Sequence, residues 1–412
     1  MPTLGLDAIA NLETPRIAKV GIANRAYWLF LLTTAVMPLA SLFWNVNFFW
    51  VKANWLPYPI FLIAVIFVML CKKSVPKEFV CLIFFAAFYL ALSYFNDGDA
   101  ESIGRFTITI LPLTFYFMFD DIKDTNHRYF WWIYGALMII PIFNSYLQYT
   151  GKIPYDEFDY VGGEKIGRMS GGYQKPHNLV AYLVPIFLLG LYLWKVKQRK
   201  LIGILVVFAV LFWVYMIGYR TSLIAFLTIL VSSFFMRTTQ RLIYTYYHYF
   251  LNFFVPILAF IFSRLLLSTV GLWDKLRGRV PIWELHSWQF FDQNPFNILF
   301  GSQKVMIEDN YLDSSVYLID EVHNNSFRTM IVFGLFGFFL YCFVMRKIVL
   351  HLQNRNYGDS LKFIMFSCFT YFIFYTITNE PLYYGSVLWP VLIWIFLVQS
   401  MPSKWKNSSD QS

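Results

Sequence analysis

Residues 177–236 read HNLVAYLVPIFLLGLYLWKVKQRKLIGILVVFAVLFWVYMIGYRTSLIAFLTILVSSFFM, and this stretch decides the fold class. It contains three apolar runs, at 177–195, 201–218 and 221–236, separated by a basic connector and by a tight turn at Tyr219–Arg220. An apolar helix of about 20 residues spans the roughly 30 Å hydrocarbon core of a bilayer. The stretch therefore predicts three consecutive membrane-spanning helices.

The composition of the whole chain agrees with this prediction. Of the 412 residues, 58% are hydrophobic, 21% are aromatic and only 14% are charged, whereas a soluble domain has about 25% charged residues. This balance excludes a soluble enzyme and a disordered protein. In a membrane protein, an excess of basic residues collects in the cytoplasmic loops. The net charge of +9 therefore does not predict a nucleic acid partner.

Applied along the chain, the same length criterion predicts an all-α polytopic membrane protein with about twelve spans. A single transmembrane domain covers 26–400, between a cytoplasmic segment at 1–25 and a cytoplasmic tail at 401–412. The predicted spans lie at 26–44, 55–71, 79–95, 106–119, 129–149, 177–195, 201–218, 221–236, 243–268, 327–345, 361–379 and 386–400.

The short loops give the orientation. Basic residues cluster after four of the even-numbered spans, near 72–77, 195–200, 237–241 and 346–362. The positive-inside rule places these loops and both chain ends in the cytoplasm. Two longer loops, at about 150–176 and 269–326, then face the other side, and any chemistry is expected there.

Three arginines are candidate anion ligands. Arg220 lies at the tight turn, where a guanidinium is costly unless it is paired or binds a ligand; its fork of donors fits phosphate, and snorkelling to lipid head groups is the alternative. Arg277 and Arg279 precede an amphipathic run that begins at Pro281. They either form an anion site at a helix N-terminus or contact lipid phosphates beside an interfacial helix.

His323 precedes the tenth span at its outer end. A histidine there is either a general base or a polar interfacial residue beside the helix cap that starts at Asn324. In the loop before span six, Arg168 and Lys175 either add to a shared anionic site or only cap the bundle. Candidate sugar contacts near the outer ends of spans five and six are Asn144, Ser145, Gln148 and Asn178.

The sequence contains no Walker motif, paired-carboxylate spacing, Ser-His-Asp signature or metal-ligand cluster. Its four cysteines lack the paired spacing of a zinc site. Neither a metal nor a cofactor is predicted.

Four strings, taken in order, resemble the bacterial O-antigen ligase and O-antigen (Wzy-type) polymerase superfamily of GT-C type membrane glycosyltransferases. They are RMSGGYQKPHNLVAYLVP, GYRTSLIAF, GRVPIWELHSWQFFDQNPFNILFG and VHNNSFRTMIVFGLFGFF. The strings cover roughly residues 165–345, and the N-terminal third matches only in hydropathy. The layout, with a large periplasmic loop between spans nine and ten, is also similar to that of the family.

The resemblance implies a metal-independent, inverting enzyme of the bacterial inner membrane with its active site facing the periplasm. An undecaprenyl-diphosphate-linked oligosaccharide would be the donor. Arg220, Arg279 and the neighbouring Arg277 would bind its diphosphate, and His323 would take the proton from the acceptor hydroxyl. Further donor or acceptor contacts are expected from Arg168, Lys175, Asn178 and Asn324.

The resemblance leaves the acceptor open. A polymerase transfers the glycan to the next lipid-linked repeat, whereas a ligase transfers it to lipid A–core; Arg168 and the substantial outer loop favour a polymerase. A chain-length regulator is a further candidate partner. Outside this class, a lipid-linked sugar flippase suits about twelve spans but often has two repeated halves, and no repeat at a half-length offset is found. A non-catalytic membrane subunit is the remaining alternative.

Overall fold

The computed structural model describes residues 38–43, 46–48, 51–52, 77–95, 128–155, 157–161, 164–195, 199–232, 293–302 and 325–354, with scattered residues between 59 and 107 and at 290–291, 367, 370–371 and 375. This part of the chain is mostly helical. Its helices are α1 (Lys77–Phe95), α2 (Arg128–Tyr149), α3 (Pro176–Lys195), α4 (Lys200–Ile217), α5 (Arg220–Ser232), α6 (Pro295–Phe300) and α7 (Asn325–Asn354).

The first five helices lie where spans were predicted. The predicted bounds 79–95, 129–149, 177–195 and 201–218 each agree with those of a helix to within two residues at either end, and α5 begins one residue before its prediction. Within the described part, α3 and α4 are long and apolar enough to cross a membrane. The structure is therefore compatible with an all-α membrane protein. Spans one, two, four, nine, eleven and twelve lie wholly or mostly outside the described residues.

Helices α3 and α4 form a closely packed hairpin. At its crossing a Cβ atom on Gly190 would lie 2.9 Å from Val207 Cγ2, and one on Gly203 would lie 2.5 Å from the Trp194 backbone nitrogen. Small residues at such a crossing let two backbones approach each other. Helix α4 ends at Gly218, whose φ of 76° gives the left-handed C-cap, and α5 begins two residues later. The predicted tight turn is confirmed one residue earlier than expected, at Gly218–Tyr219.

The predicted outer loop at 150–176 contains an antiparallel hairpin that the all-α prediction did not include. Strand β3 (Glu157–Val161) pairs with β4 (Glu164–Arg168), and the register places Glu157 opposite Arg168. A second, minimal pair is formed by β1 (Asn47–Phe48) and β2 (Val51–Lys52).

Helix α7 is broken at Gly334, which has φ 65° and ψ −171°. Two carbonyls beside the break accept hydrogen bonds from other segments. The Ile331 carbonyl accepts from the Ser302 backbone N–H at 2.9 Å, and the Phe333 carbonyl accepts from the Tyr89 hydroxyl at 2.6 Å. The break thus joins α7 to the end of α6 and to α1. The helix continues to Asn354, beyond the predicted end at 345.

Candidate functional site

The start of α3 lies close to the residue that precedes α5, and we call this contact between His177 and Tyr219 the junction of α3 and α5. Proline at the first position of a helix is a favoured start, and α3 begins at Pro176. The next residue, His177, has its ring centroid 6.1 Å from that of Tyr219, and Tyr219 directly precedes Arg220. Tyr375 closes the cluster, with its ring 6.3 Å from His177 and 6.4 Å from Tyr219.

Cationic and polar groups surround this junction. Arg220 is exposed, while Lys175, His177 and Asn178 are half-buried. The N-terminal end of a helix carries a partial positive charge and backbone N–H groups that no carbonyl of the helix satisfies. Two such ends together with Arg220 and Lys175 make a positive region that suits an anion such as a phosphate group.

A stack of aromatic rings supports α5 beneath the junction. The Tyr371 hydroxyl is 2.8 Å from Ser222 Oγ, a hydrogen-bonding distance. The Tyr371 ring stacks on Phe226 at 5.1 Å, and Phe226 stacks on Phe187 of α3 at 4.4 Å. These contacts fix the direction in which α5, and hence Arg220, leaves the turn.

Part of the segment between the hairpin and α3 is buried, namely residues 169–171 and Tyr173. Arg168 lies half-buried at its start, and Tyr173 within it has no exposed surface. Tyr173 stacks on Tyr182 of α3 at 5.2 Å. Burial raises the pKa of Tyr173 well above its usual range, so its hydroxyl stays neutral at physiological pH.

Of the candidate sugar contacts, Asn178 remains a prediction, whereas the other polar residues bond to the protein itself. Asn144 Nδ2 donates to the Gly171 carbonyl at 3.4 Å, and Ser145 Oγ accepts from Trp213 Nε1 at 2.9 Å. Gln148 is 1% exposed and bonds to the buried segment through its carboxamide. Ser145 has no exposed surface either, so the prediction of a sugar contact was wrong for Ser145 and Gln148, whereas for the half-buried Asn144 it stays a prediction.

Four predicted site residues lie outside the described residues: Arg277, Arg279, His323 and Asn324. Their roles stay predictions. Helix α7 begins at Asn325, two residues after His323, and its first turn contains Arg328, which is only 5% exposed. A cation inside an apolar span is a functional candidate by default. Arg328 was missed although this signal was present in the sequence.

His177 and its aromatic partners were missed as well. The position of His177, directly after a helix-starting proline, was visible in the sequence. That Tyr219 and Tyr375 would surround its ring was not, because Tyr375 lies far along the chain and only the packing of the helices brings it to α3.

Chemically, the junction can bind an anion through side-chain and backbone donors. Within the described residues, no three His, Cys, Asp or Glu side chains are close enough to hold a metal ion. Comparison of the chain with family models, curated proteins and solved structures finds no match.

Proposed function

We propose that the chain is a glycosyltransferase of bacterial surface polysaccharide assembly, acting in the inner membrane as an O-antigen-type polymerase. It would transfer an undecaprenyl-diphosphate-linked glycan to a sugar hydroxyl of the next lipid-linked repeat at the periplasmic face. The observation that carries the proposal is the junction of α3 and α5, where Arg220 and Lys175 lie at two adjoining helix N-termini. The diphosphate of a lipid-linked glycan would supply the anion that these cations and helix ends bind.

The proposed chemistry needs cations and one base. The bond from the anomeric carbon to the diphosphate oxygen breaks as the acceptor oxygen attacks from the opposite face, which inverts the anomeric centre. His323 takes the proton of the acceptor hydroxyl. Negative charge develops on the leaving diphosphate, and fixed guanidinium groups stabilise it without a metal. One charged hydrogen bond contributes about 1.5–3 kcal/mol.

The proposed layout has about twelve spans with both ends in the cytoplasm. The agreement between five described helices and the predicted spans supports it. We favour a polymerase over a ligase because the substantial outer loop, which contains the β3–β4 hairpin and Arg168, suits an enzyme that must hold two charged lipid-linked substrates.

Reconstitution of the full chain in liposomes that contain a labelled lipid-linked repeat and lipid A–core tests the proposal. We expect a ladder of products on a gel, and no ladder from His323→Ala although the variant inserts normally. Transfer only to lipid A–core would indicate a ligase instead. Label that crosses the bilayer without a new glycosidic bond would indicate a transporter, and normal ladders from His323→Ala would remove the histidine as base.

Arg220→Lys tests the anion site itself. An ammonium group cannot reproduce the two-oxygen grip of a guanidinium, so turnover should fall at least about tenfold. The matched control is Arg199→Lys, an exposed arginine at the opposite end of the α3–α4 hairpin, which should leave turnover unchanged. Full activity of Arg220→Lys would mean that charge alone suffices at this position.

A further inference from the structure

Within the connecting segment 169–175, residues 169–171 and Tyr173 are buried, which is unusual. Connecting segments normally lie on the surface, because a buried backbone needs a partner for each N–H and carbonyl group. Ser170 has no exposed surface, and Met169 is 3% exposed. Ser170 satisfies two of these groups, since its Oγ accepts from the Gly172 N–H at 3.3 Å and its carbonyl accepts from the Tyr173 N–H at 3.2 Å. The N–H groups of Ser170 and Gly171 take their partners from a neighbouring helix.

Gln148, in the last turn of α2, supplies those partners. Its Oε1 accepts from two successive backbone N–H groups, those of Ser170 and Gly171, each at 3.0 Å. Its Nε2 donates to the Pro154 carbonyl at 3.3 Å and to Ser170 Oγ at 3.5 Å. The carboxamide accepts in two of these bonds and donates in the other two, so a carboxylate or an alkyl group cannot reproduce the set.

These bonds join the two ends of the outer loop. Pro154 lies before the β3–β4 hairpin, and Ser170 lies after it. A side chain on Gly167 would overlap the Tyr155 ring, so this ring packs directly on the backbone of β4. The carboxamide of Gln148 thus fixes the base of the hairpin to α2, and the contact of Tyr155 with Gly167 joins the two sides of that base.

The bonds of Gln148 to Ser170 and Gly171 also fix the position from which the chain enters α3. Gly171 has φ +65°, and a Cβ atom on it would lie 2.5 Å from the Pro141 carbonyl of α2 and 3.2 Å from Leu179 of α3. The segment is wedged between the two helices at this point. A displacement of Gly171 would move the four residues that follow it and, with them, the first turn of α3.

We propose that Gln148 is a positioning residue for glycan transfer: its buried carboxamide holds segment 169–175 so that Lys175 and the first turn of α3 meet Arg220. The inference rests on the proposed function. Gln148 itself does not touch substrate, since its carboxamide is occupied and it is 1% exposed. A small misplacement of binding groups slows an enzyme strongly, by up to about 100-fold per ångström.

The test compares three variants of the full-length protein. Gln148→Leu removes all the bonds, and Gln148→Glu keeps an acceptor for the two N–H groups but lacks the donor. The matched control is Gln174→Leu, which alters an exposed glutamine of the same segment. Hydrogen exchange at the amides of residues 170–171 reports whether residue 148 still holds the segment in place. KM and kcat for the lipid-linked repeat report the effect on transfer.

For Gln148→Leu we expect amide exchange at residues 170–171 to accelerate at least about tenfold, and KM to rise about tenfold or more with a smaller change in kcat. Gln148→Glu should restore part of both, and Gln174→Leu should match the wild type. Unchanged exchange in Gln148→Leu would show that Gln148 does not hold the segment. Faster exchange with an unchanged KM would show that holding the segment does not position the groups that bind substrate. Wild-type protein that forms no glycosidic bond would refute the proposed function and with it the role in transfer, while exchange would still report whether Gln148 holds the segment.

Discussion

At the scale of single residues, the Tyr173 hydroxyl presents an unusual case. It is buried and has no hydrogen-bond partner among the described residues, and an unsatisfied buried polar group costs about 1–3 kcal/mol. Tyr173→Phe removes that group and keeps the ring that stacks on Tyr182. The free energy of unfolding should therefore stay the same or rise, as measured by thermal unfolding in detergent.

Tyr182→Phe is the contrasting variant. Its hydroxyl lies 2.6 Å from Ser41 Oγ, so its loss should lower the free energy of unfolding by about 0.5–1.5 kcal/mol. If Tyr173→Phe destabilises the protein as much as Tyr182→Phe does, the Tyr173 hydroxyl has a partner in the native protein.

Sequence reasoning located Arg220 because a guanidinium between two apolar runs is conspicuous without any structure. It misjudged Gln148 because a glutamine at the outer end of a span can face either a ligand or the protein. The structure decides between the two, because the buried residues 170 and 171 direct their backbone N–H groups to the Gln148 carboxamide.

At the scale of elements, the break in α7 depends on a glycine. Gly334 has a φ that disfavours other residues, and a Cβ atom on it would overlap the backbone of Gly301 and Leu299. Gly334→Ala should lower the free energy of unfolding by at least about 1–3 kcal/mol, measured by thermal unfolding.

The control is Gly135→Ala, since a Cβ atom at Gly135 in α2 meets nothing within 4 Å. Alanine is the better helix former by about 1 kcal/mol, so this variant should be neutral or slightly stabilising. Equal stability of the Gly334 and Gly135 variants would contradict the close contact between α6 and α7.

Helix positions were predictable because a membrane span is defined by length and hydropathy, which act locally. The β3–β4 hairpin was missed although Gly162 and Gly163 separate two stretches of suitable length, a pattern typical of a hairpin. The charges around those glycines had suggested only an irregular loop. The close approach of Gly334 to Gly301 could not be predicted, since that contact joins separate segments of the chain.

At the scale of the whole molecule, the orientation is testable in a cysteine-free variant. Residues Lys152, beyond α2, and Arg199, before α4, are both exposed and lie at opposite ends of α3. Lys152→Cys should react with a membrane-impermeant maleimide in intact cells, whereas Arg199→Cys should react only after the membrane is permeabilised. The reverse pattern would place the α3–α5 junction in the cytoplasm and contradict the proposed function.

The hydrogen bond between Ser302 and Ile331 also bears on how such a chain can diversify. It tethers the chain on both sides of residues 303–324, the segment that contains His323. When the two ends of a flexible loop are held together, each doubling of the loop length raises the entropic cost of closing it by only about 0.6 kcal/mol. Insertions or deletions within residues 303–324 should therefore cost little free energy of unfolding, because the contact between Gly301 and Gly334 still holds α6 against α7.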